Sequence, residues 1–507
     1  MTMEALTFLL SFRNILLMTA IYLFTVAFYR IYFHPLAKFP GPKLAAITRY
    51  YEGYFDLIQN GQYTFKIKEM HKKYGPIIRI SPHELHIMDP FYHQTLYRQE
   101  GHWNKYPWNY DAFTSKGSTI CTTDHDIHRA RRAPMASFFS KAKVSAQEEM
   151  IKRNAEKLCE RLSGLSNTTF NLGAAISAYT QDVASEFILG KNYHSLDRED
   201  FNVGMTGVFQ KSAGRVWCTT KYLRWFGPMM QAIPSDWVMK MADEKTQSFF
   251  RYLKIMEKDS EILVAAASSQ SELNEVGTRT IVNGILESDL PPSEKTCKRI
   301  CDEVTTVSGA GFETSANVLR LICFHVFSQP KILKQLRNEL ASAKTSHGTN
   351  KLVQLEHLPF LTSVLMEGLR LSPGIATRLQ RIAPDRDLIY GEWSIPSGTP
   401  VGMTNMWMHL DEKLYPDPMR FDPDRWMDLE ARKILERTFA PFSKGTRICI
   451  GMNLAWAEMY IALAALVQRF DFQFNGVTSK DFECQSDQFI IGTRDNGNLH
   501  ACVTDLG

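Results

Sequence analysis

The sequence lacks a strong charge bias, and this absence excludes several classes of protein. Its 507 residues contain 58 Lys and Arg against 54 Asp and Glu, so the formal net charge is only +4. Such a balance gives no electrostatic reason to expect a nucleic-acid partner. Hydrophobic residues make up 44% of the chain and aromatic residues 12%. This is enough apolar material for a large core, which excludes a mainly disordered or low-complexity protein.

Paired cysteines, internal repeats and long linkers are lacking as well. The nine cysteines are scattered, odd in number and without a CxxC spacing. Neither a disulfide framework nor a cysteine-rich zinc module is therefore predicted, and a reducing compartment is the simplest interpretation. With no repeat and no long linker, residues 49–507 are expected to form one large domain.

One uncharged apolar run stands near the N-terminus, from Asn14 to Tyr29. Counted from Leu6, with Arg13 reaching back to the interface, it is long enough to cross a bilayer. A cleaved signal peptide and a buried core helix are the alternatives. No small-x-small cleavage site follows the run, and aromatic residues crowd its end, which favours a transmembrane anchor over residues 1–33. The cations beyond the run predict that the rest of the chain is cytosolic.

A proline-rich segment follows the anchor and predicts a stiff hinge over residues 34–48. Beyond the hinge, apolar residues recur at helical steps, most clearly in a predicted helix at 453–470. Strand-like patches are short, and we expect residues 77–80 to accompany 85–88 and residues 388–390 to accompany 401–403. The predicted fold class is mainly α with small β-sheets.

One cysteine stands in a motif of its own near the C-terminus. The segment from Phe442 to Gly451 reads FSKGTRICIG, so FxxGxRxCxG is satisfied in full. Cys449 lies just before the predicted helix, whose N-terminus would stabilise a thiolate, and Arg447 offers a cation to an anionic partner. A thiolate held in this way can serve as the axial ligand of haem iron.

With this motif the sequence resembles the cytochrome P450 family of haem-thiolate monooxygenases over essentially the whole chain. The resemblance implies the P450 fold, a haem b cofactor, and Cys449 as the axial ligand of the haem iron. It also implies that Phe442, Arg447 and Gly451 contribute to the cofactor site. The sequences of the hinge and of residues 72–80 resemble those of fungal secondary-metabolism members of the family, particularly trichodiene-oxygenase-like ones.

Two further motifs match the family. Glu367 and Arg370 form an ExxR, and Arg425 lies in the second arginine motif; the resemblance implies a structural ion triad of these three side chains. Residues 310–315 resemble the oxygen-activation motif, in which Thr314 and Glu313 would deliver protons to bound oxygen. An alternative interpretation of 304–311 as the strand and turn of a nucleotide site is weak, because the third glycine is missing.

Several cations are expected to bind the haem propionates. In the family the helix that begins near His125 crosses the haem edge, which makes Arg132 the first candidate and His128 the second. Arg378, after the ExxR helix, is a third candidate. A metal-binding pair of His125 and His128 is an alternative. The basic residues around this helix and the cysteine loop could equally form a docking patch for an electron donor or be ordinary solvated charges; they are Arg129, Arg131, Lys433, Arg437 and Lys444.

The resemblance implies a monooxygenase of the endoplasmic reticulum membrane. Its expected partners are NADPH-cytochrome P450 reductase, O2 and an apolar small molecule, and a terpenoid is the suggested substrate class. Segments expected to face the substrate are 106–118, 209–233, 375–377 and 489–491, and 225–230 is a candidate second membrane contact. A haem-thiolate isomerase or dehydratase that needs no O2 is the alternative, although the Glu313–Thr314 pair argues against it.

Overall fold

The computed structural model describes residues 12–113, 115–234, 237, 239–240, 243–268, 279–347, 351–494 and 497–507. Helices account for most of them. The first half of this part contains α1 (Phe12–Tyr32), α2 (Lys43–Ile47), α3 (Tyr50–Gly53), α4 (Tyr63–Tyr74), α5 (His93–Leu96), α6 (Pro107–Tyr110), α7 (His125–Phe138), α8 (Lys141–Ala146), α9 (Glu148–Ser163), α10 (Leu172–Leu189), α11 (Val203–Tyr222) and α12 (Phe226–Ala232). The second half contains α13 (Glu244–Ser268), α14 (Ile281–Leu286), α15 (Cys297–Ser328), α16 (Pro330–His347), α17 (Leu352–Glu356), α18 (Pro359–Leu371), α19 (Asn405–His409), α20 (Leu429–Thr438) and α21 (Met452–Arg469).

The strands are short and form four small sheets. They are β1 (Ile77–Ser81), β2 (Glu84–Ile87), β3 (Thr169–Asn171), β4 (Leu388–Tyr390), β5 (Trp393–Ile395), β6 (Val401–Gly402), β7 (Phe470–Phe474), β8 (Ser486–Gln488), β9 (Ile490–Gly492) and β10 (His500–Asp505). The strand orders are β1-β2-β6, β3-β10-β7, β4-β5 and β8-β9. The predicted mainly α fold with small sheets is confirmed.

One predicted strand pairing is wrong. The strand at 388–390 pairs antiparallel with β5 rather than with 401–402, and β6 instead joins β2 in parallel. The turn between β4 and β5 is very short because Gly391 adopts a left-handed conformation, with φ 54°, which glycine reaches without steric cost. A two-residue turn therefore lets β4 pair with β5, which lies closer in the sequence than residues 401–403, the partner expected from hydrophobicity alone.

The core is formed where long helices meet. Helix α15 begins at the N-cap Thr296, whose side chain accepts a hydrogen bond from the backbone N–H of Arg299, and it packs lengthwise on α10. Almost every residue of α10 is buried, including polar ones such as Gln181 and Asp182, so the helix runs through the interior of the protein. Helices α18 and α21 pack against the same region, which sets α15 against the helix that follows the cysteine motif.

The N-terminal helix α1 stands apart from this core. None of its residues is buried, and its mean hydropathy is 1.7 over the most apolar window. By length and composition it could cross a membrane. The proline-rich segment after it is packed rather than free: Leu36 and Phe39 are buried, the Phe39 ring stacks on Trp393 at 5.0 Å, and Pro40 accepts a backbone hydrogen bond from Arg79.

Candidate active site

A cavity lies between α15, α21, α7 and the cysteine loop, and it gathers most of the predicted site residues. Thr314, Cys449, Arg447, Arg132, His128, Phe442 and Gly451 all line it. The rest of the wall is largely apolar and includes Ile120, Val307, Ile375, Leu379 and Phe489. The cavity thus brings together residues more than 300 positions apart, such as His128 on α7 and Cys449 in the cysteine loop.

The cysteine loop is held in one conformation by its backbone. The N–H of Cys449 donates to the carbonyl of Phe442 at 2.9 Å. Gly445 has φ 74°, and a Cβ there would lie 2.6 Å from the carbonyl oxygens of Tyr97 and Arg98. Only glycine fits such a position. At Gly451 a Cβ would meet no protein atom within 4 Å, so protein packing does not account for that glycine.

Opposing effects act on the pKa of the Cys449 thiol. Burial raises its pKa above the ordinary value, while the backbone N–H groups of Gly451 and Met452 and the charge of Arg132 lower it. The helix N-terminus therefore acts in the predicted direction, but burial outweighs it. A thiolate at this position needs a further positive charge, and a coordinated metal ion supplies one.

Five cationic or potentially cationic side chains line the same cavity: Lys105, His128, Arg132, Arg381 and Arg447. Among the residues that the structure describes, no carboxylate lies within 4.0 Å of a basic nitrogen of any of them. The pKa of Lys105 lies well below its ordinary value because of burial and then because of Arg447 and Arg381. Burial, followed by Arg381, lowers the pKa of Arg447 to about 9. The cavity therefore concentrates positive charge that protein carboxylates leave uncompensated.

Arg447 has a double role. Its two terminal nitrogens donate to the carbonyl oxygens of Trp103, Thr122, Thr123 and Asp124 at 2.8–3.2 Å, which ties the cysteine loop to the start of α7. Its Nε is buried and has no hydrogen-bond partner in the described part of the chain. The guanidinium thus retains one donor for an anionic group in the cavity.

The structure places Arg378, an expected partner of the haem propionates, in a cluster of buried ion pairs instead. Its guanidinium does not line the cavity and is bound to two buried carboxylates, Glu84 at 2.6 Å and Glu52 at 2.7 Å. Three residues further on, Arg381 lines the cavity instead, with its guanidinium 4.8 Å from the Tyr97 ring. Lys105 and Arg381 are the cavity cations that sequence reasoning missed.

Glu313 also differs from expectation. Its carboxylate is buried away from the cavity and accepts hydrogen bonds from Arg320 at 2.6 Å and from Ser177 at 3.3 Å. Thr314, by contrast, lines the cavity and donates to the carbonyl of Ala310 at 2.8 Å. Adjacent helical residues point about 100° apart, so the predicted acid and alcohol face different surroundings. Gly311 lets α15 approach α10, since a Cβ there would lie 3.2 Å from that of Ala184.

A second carboxyl group, Glu458 on α21, does line the cavity. It is buried, and both of its side-chain oxygens have no hydrogen-bond partner among the described residues. Burial raises its pKa to about 8, opposed only by the nearby hydroxyl of Ser315. Glu458 is therefore a neutral acid near pH 7. The available sequence signal was a lone glutamate inside the apolar stretch of α21.

The structural triad is assembled beside this site. Arg370 binds both carboxylate oxygens of Glu367 at 2.8 and 2.9 Å, and Arg425 binds one of them at 3.1 Å. Trp426 and the backbone of Asp422 complete the hydrogen bonds of the same carboxylate. All three charged side chains lie outside the cavity lining, which suits a role in holding the fold.

Both sequence-based alternatives at the site fail. Residues 304–311 lie inside α15 rather than in a strand and turn, which excludes the nucleotide-site interpretation. No group of three or more His, Cys, Asp or Glu suited to a metal ion occurs in the described ranges, and the pKa of His128 is lowered by burial and by neighbouring cations. A metal ion beside His125 and His128 would add charge to an already positive region.

The residues that line the cavity fit a haem. The cofactor would bring two propionate carboxylates to a cavity with uncompensated cations and a metal ion to a thiol that lines the cavity. The wide apolar wall would accommodate a porphyrin and an apolar substrate.

Comparison with known proteins agrees with this geometry. The family description "Cytochrome P450" matches residues 50–498. The cytochrome P450 monooxygenase MO6277 of Ascocoryne sarcoides is 37% identical over 91% of this chain and 92% of its own length. The tryptophan 6-hydroxylase fscE of Fusarium equiseti is 37% identical over 94% and 93%. The cytochrome P450 monooxygenase TRI4 of Fusarium sporotrichioides is 34% identical over 92% and 89%.

Proposed function

From the chain's membership of the cytochrome P450 family, in which it is a monooxygenase, we propose that it inserts one oxygen atom from O2 into an apolar secondary metabolite. The single observation that carries this proposal is the cavity that Cys449 lines together with the guanidinium groups of Arg132, Arg381 and Arg447, none of which has a carboxylate partner among the described residues. A scaffold or inert binding protein would gain nothing from this arrangement, because buried like charges destabilise a fold unless an anion compensates them.

Cys449 would be the axial ligand, and Lys105, Arg132, Arg381 and Arg447 would hold the two propionates of haem b. When bound, the haem supplies the redox chemistry that activates O2. Arg447 would fix the cofactor relative to the polypeptide, since the same guanidinium also binds the carbonyls before α7. The cations would orient the group and offset its negative charge.

Proton supply would fall to Thr314 and Glu458 rather than to Glu313. The Thr314 hydroxyl lines the cavity and can pass a proton when its bond to Ala310 is exchanged. Glu458 retains a proton near neutral pH and lies beside Ser315, the residue after Thr314. Glu313 could contribute only after its ion pair with Arg320 opens. Glu303 on α15 also lines the cavity, but its carboxylate is bound to Arg299 at 2.8 Å. The general acid without an ion pair would therefore be on α21.

The substrate would be held by the apolar wall above Thr314, and water would be excluded by the same residues. Ile120, Val307, Ile375, Leu379 and Phe489 contribute no hydrogen-bonding side chain, which supports an apolar, terpenoid-sized molecule. One relative is named as a tryptophan hydroxylase. An aromatic metabolite is therefore the alternative substrate class, and the metabolite comparison below would distinguish the two.

Electrons would come from NADPH through cytochrome P450 reductase, with the chain anchored in the endoplasmic reticulum membrane by α1. The exposed side chains Trp225, Met229 and Met230 supply an apolar surface for a second membrane contact. Of the proposed docking cations, Arg129 and Arg437 are exposed, while Arg131 is bound to Glu294 at 2.6 Å and is withdrawn from the patch.

The test is co-expression of the full chain with a reductase in a fungal host, followed by comparison of its metabolites with those of a host expressing Cys449→Ala. We expect oxygenated products only with the unmodified chain, and NADPH consumption that rises with substrate. Product formation by purified protein without any reductant would overturn the monooxygenase proposal and favour the isomerase or dehydratase.

A further inference from the structure

Phe489, at the tip of the β8–β9 hairpin, has a backbone conformation that is unusual for its residue type. Its φ is 69°, in the left-handed region where a bulky residue is strained. The same residue lines the cavity. Strain of this kind persists only when the surroundings determine the conformation, so the contacts that hold Phe489 are of interest.

The ring of Phe489 contacts several other aromatic rings around the cavity. Its centroid lies 4.7 Å from that of Phe113 and 5.4 Å from that of Trp217 on α11, both with edge-on geometry. Tyr110, another cavity-lining residue, is 6.4 Å away. A rotation of the backbone at Phe489 would separate these rings and change the shape of the upper cavity.

The backbone of Phe489 is held mainly by Asp487. One carboxylate oxygen of Asp487 accepts the N–H of Phe489 at 2.9 Å, and the other accepts the Thr64 hydroxyl at 2.6 Å. The N–H of Asp487 itself donates to the carbonyl of Gly61 at 2.9 Å. The carbonyl of Phe489 accepts the N–H of Ala376 at 3.0 Å. The tip is thus fixed from the α4 region on one side and from the segment after α18 on the other.

Gly61 shows how closely these segments approach. It has φ 78°, and a Cβ there would lie only 2.4 Å from the carbonyl oxygen of Asp487. Glycine is required on both grounds. The close contact between the α4 region and the hairpin therefore depends on the glycine at position 61.

We infer that Asp487 is a positioning residue that sets the selectivity of the cavity for large apolar ligands by holding Phe489 in its left-handed conformation. This inference rests on the proposed function only in that the cavity takes the substrate. Asp487 acts through Phe489 and has no part in the chemistry.

The electrostatic surroundings add a pH dependence. Burial, and then the negative charge of Asp56, raise the pKa of Asp487 to about 6; the Thr64 hydroxyl, Lys221 and the Phe489 N–H oppose this. Burial, and then the charge of Asp487, raise the pKa of the nearby Cys484 thiol. Below about pH 6 the protonated carboxyl accepts hydrogen bonds more weakly, so the hold on Phe489 weakens as the pH falls.

The experiment measures spectral dissociation constants of two azoles for the full-length haem protein in detergent. Clotrimazole is large enough to contact the upper wall, whereas imidazole is too small to reach it. In Asp487→Ala we expect clotrimazole to bind about three- to tenfold more weakly, the effect of one lost charge-assisted hydrogen bond, with imidazole unchanged within about twofold. Asp487→Asn keeps an acceptor oxygen without the charge, and we expect its clotrimazole affinity to lie between those of Asp487→Ala and the unmodified protein at pH 7.

Asp481→Ala is the matched control, because Asp481 accepts similar bonds from Thr478 in the same segment, whereas the Phe489 N–H donates to Asp487. Should Asp487→Ala fail to fold, Thr64→Val removes the partner of the other carboxylate oxygen, and clotrimazole binding is expected to weaken in the same direction. Between pH 7 and pH 5 the clotrimazole dissociation constant of the unmodified protein should rise toward that of Asp487→Asn, whose side chain does not titrate.

Equal weakening of both azoles in Asp487→Ala, or unchanged clotrimazole binding in a folded variant, would overturn the inference. So would clotrimazole binding by Asp487→Asn that is no tighter than binding by Asp487→Ala. Absence of any azole spectrum in the unmodified chain would instead contradict the proposed function, which keeps the two failures distinguishable.

Discussion

Glu458 offers a test that can be worked from the structure. Burial raises its pKa to about 8 from an ordinary 4.5. In the unfolded chain the group loses its proton near pH 4.5, while in the folded chain it keeps the proton until about pH 8. Between these values the folded state binds more protons, so stability falls as pH rises, by about 1.4 kcal/mol for each pH unit.

The perturbation is Glu458→Gln, which has nearly the same shape and no charge to bury. Any cost of packing the amide is independent of pH and is the same at both ends of the experiment. Relative to the unmodified protein, the variant should therefore gain about 3 kcal/mol in free energy of unfolding between pH 5.5 and pH 8. Thermal unfolding of the haem-bound proteins at the two pH values measures the change in their difference.

Glu156→Gln is the control, since Glu156 is exposed on α9 and its variant should follow the unmodified protein at both pH values. A stability difference between Glu458→Gln and the unmodified protein that does not change with pH would refute the reasoning, because it would show that Glu458 is not a buried proton carrier. A gain in the opposite direction would refute it as well.

Three further predictions follow from the site. Arg378→Met should lower stability by about 3–5 kcal/mol, because it removes the ion pair of the buried Glu84 and leaves Glu52 with Lys221 alone. It should not lower the haem content of folded protein, whereas Arg381→Met should speed haem loss to an acceptor protein. The reverse pattern would support Arg378 as a cofactor ligand. Thr314→Ala should keep NADPH consumption but release hydrogen peroxide in place of product, and full coupling in this variant would remove Thr314 from proton supply. Deletion of residues 1–33 should move the protein from the membrane to the soluble fraction on centrifugation, and retention in the membrane would show that α1 is not the main anchor.

What could be predicted from the sequence was local. The cysteine motif itself lies within ten positions, and the positive φ of Gly445 is a local property. The contacts of this loop with residues 97–124 could not be seen in the motif. The ExxR pair shares one helical face by its spacing alone. Helix α21 begins and ends within one residue of the predicted bounds.

The errors arise where side-chain direction depends on the surrounding structure. Arg378 and Arg381 lie three apart in an extended segment, so they point to opposite faces, and only the fold decides which face is the cavity. Glu313 and Thr314 diverge because they are neighbours on a helix. Glu458 was not predicted as a site residue, because a helical pattern shows that a position is buried without showing that a cavity lies beside it.

The central claim is that Cys449 binds haem iron as a thiolate. The most direct measurement is the absorbance of the reduced, carbon-monoxide-treated protein after expression with ample haem supply. We predict the red-shifted thiolate band for the unmodified chain and its loss in Cys449→Ala. A colourless, porphyrin-free protein, or a red-shifted band that persists without Cys449, would contradict the account.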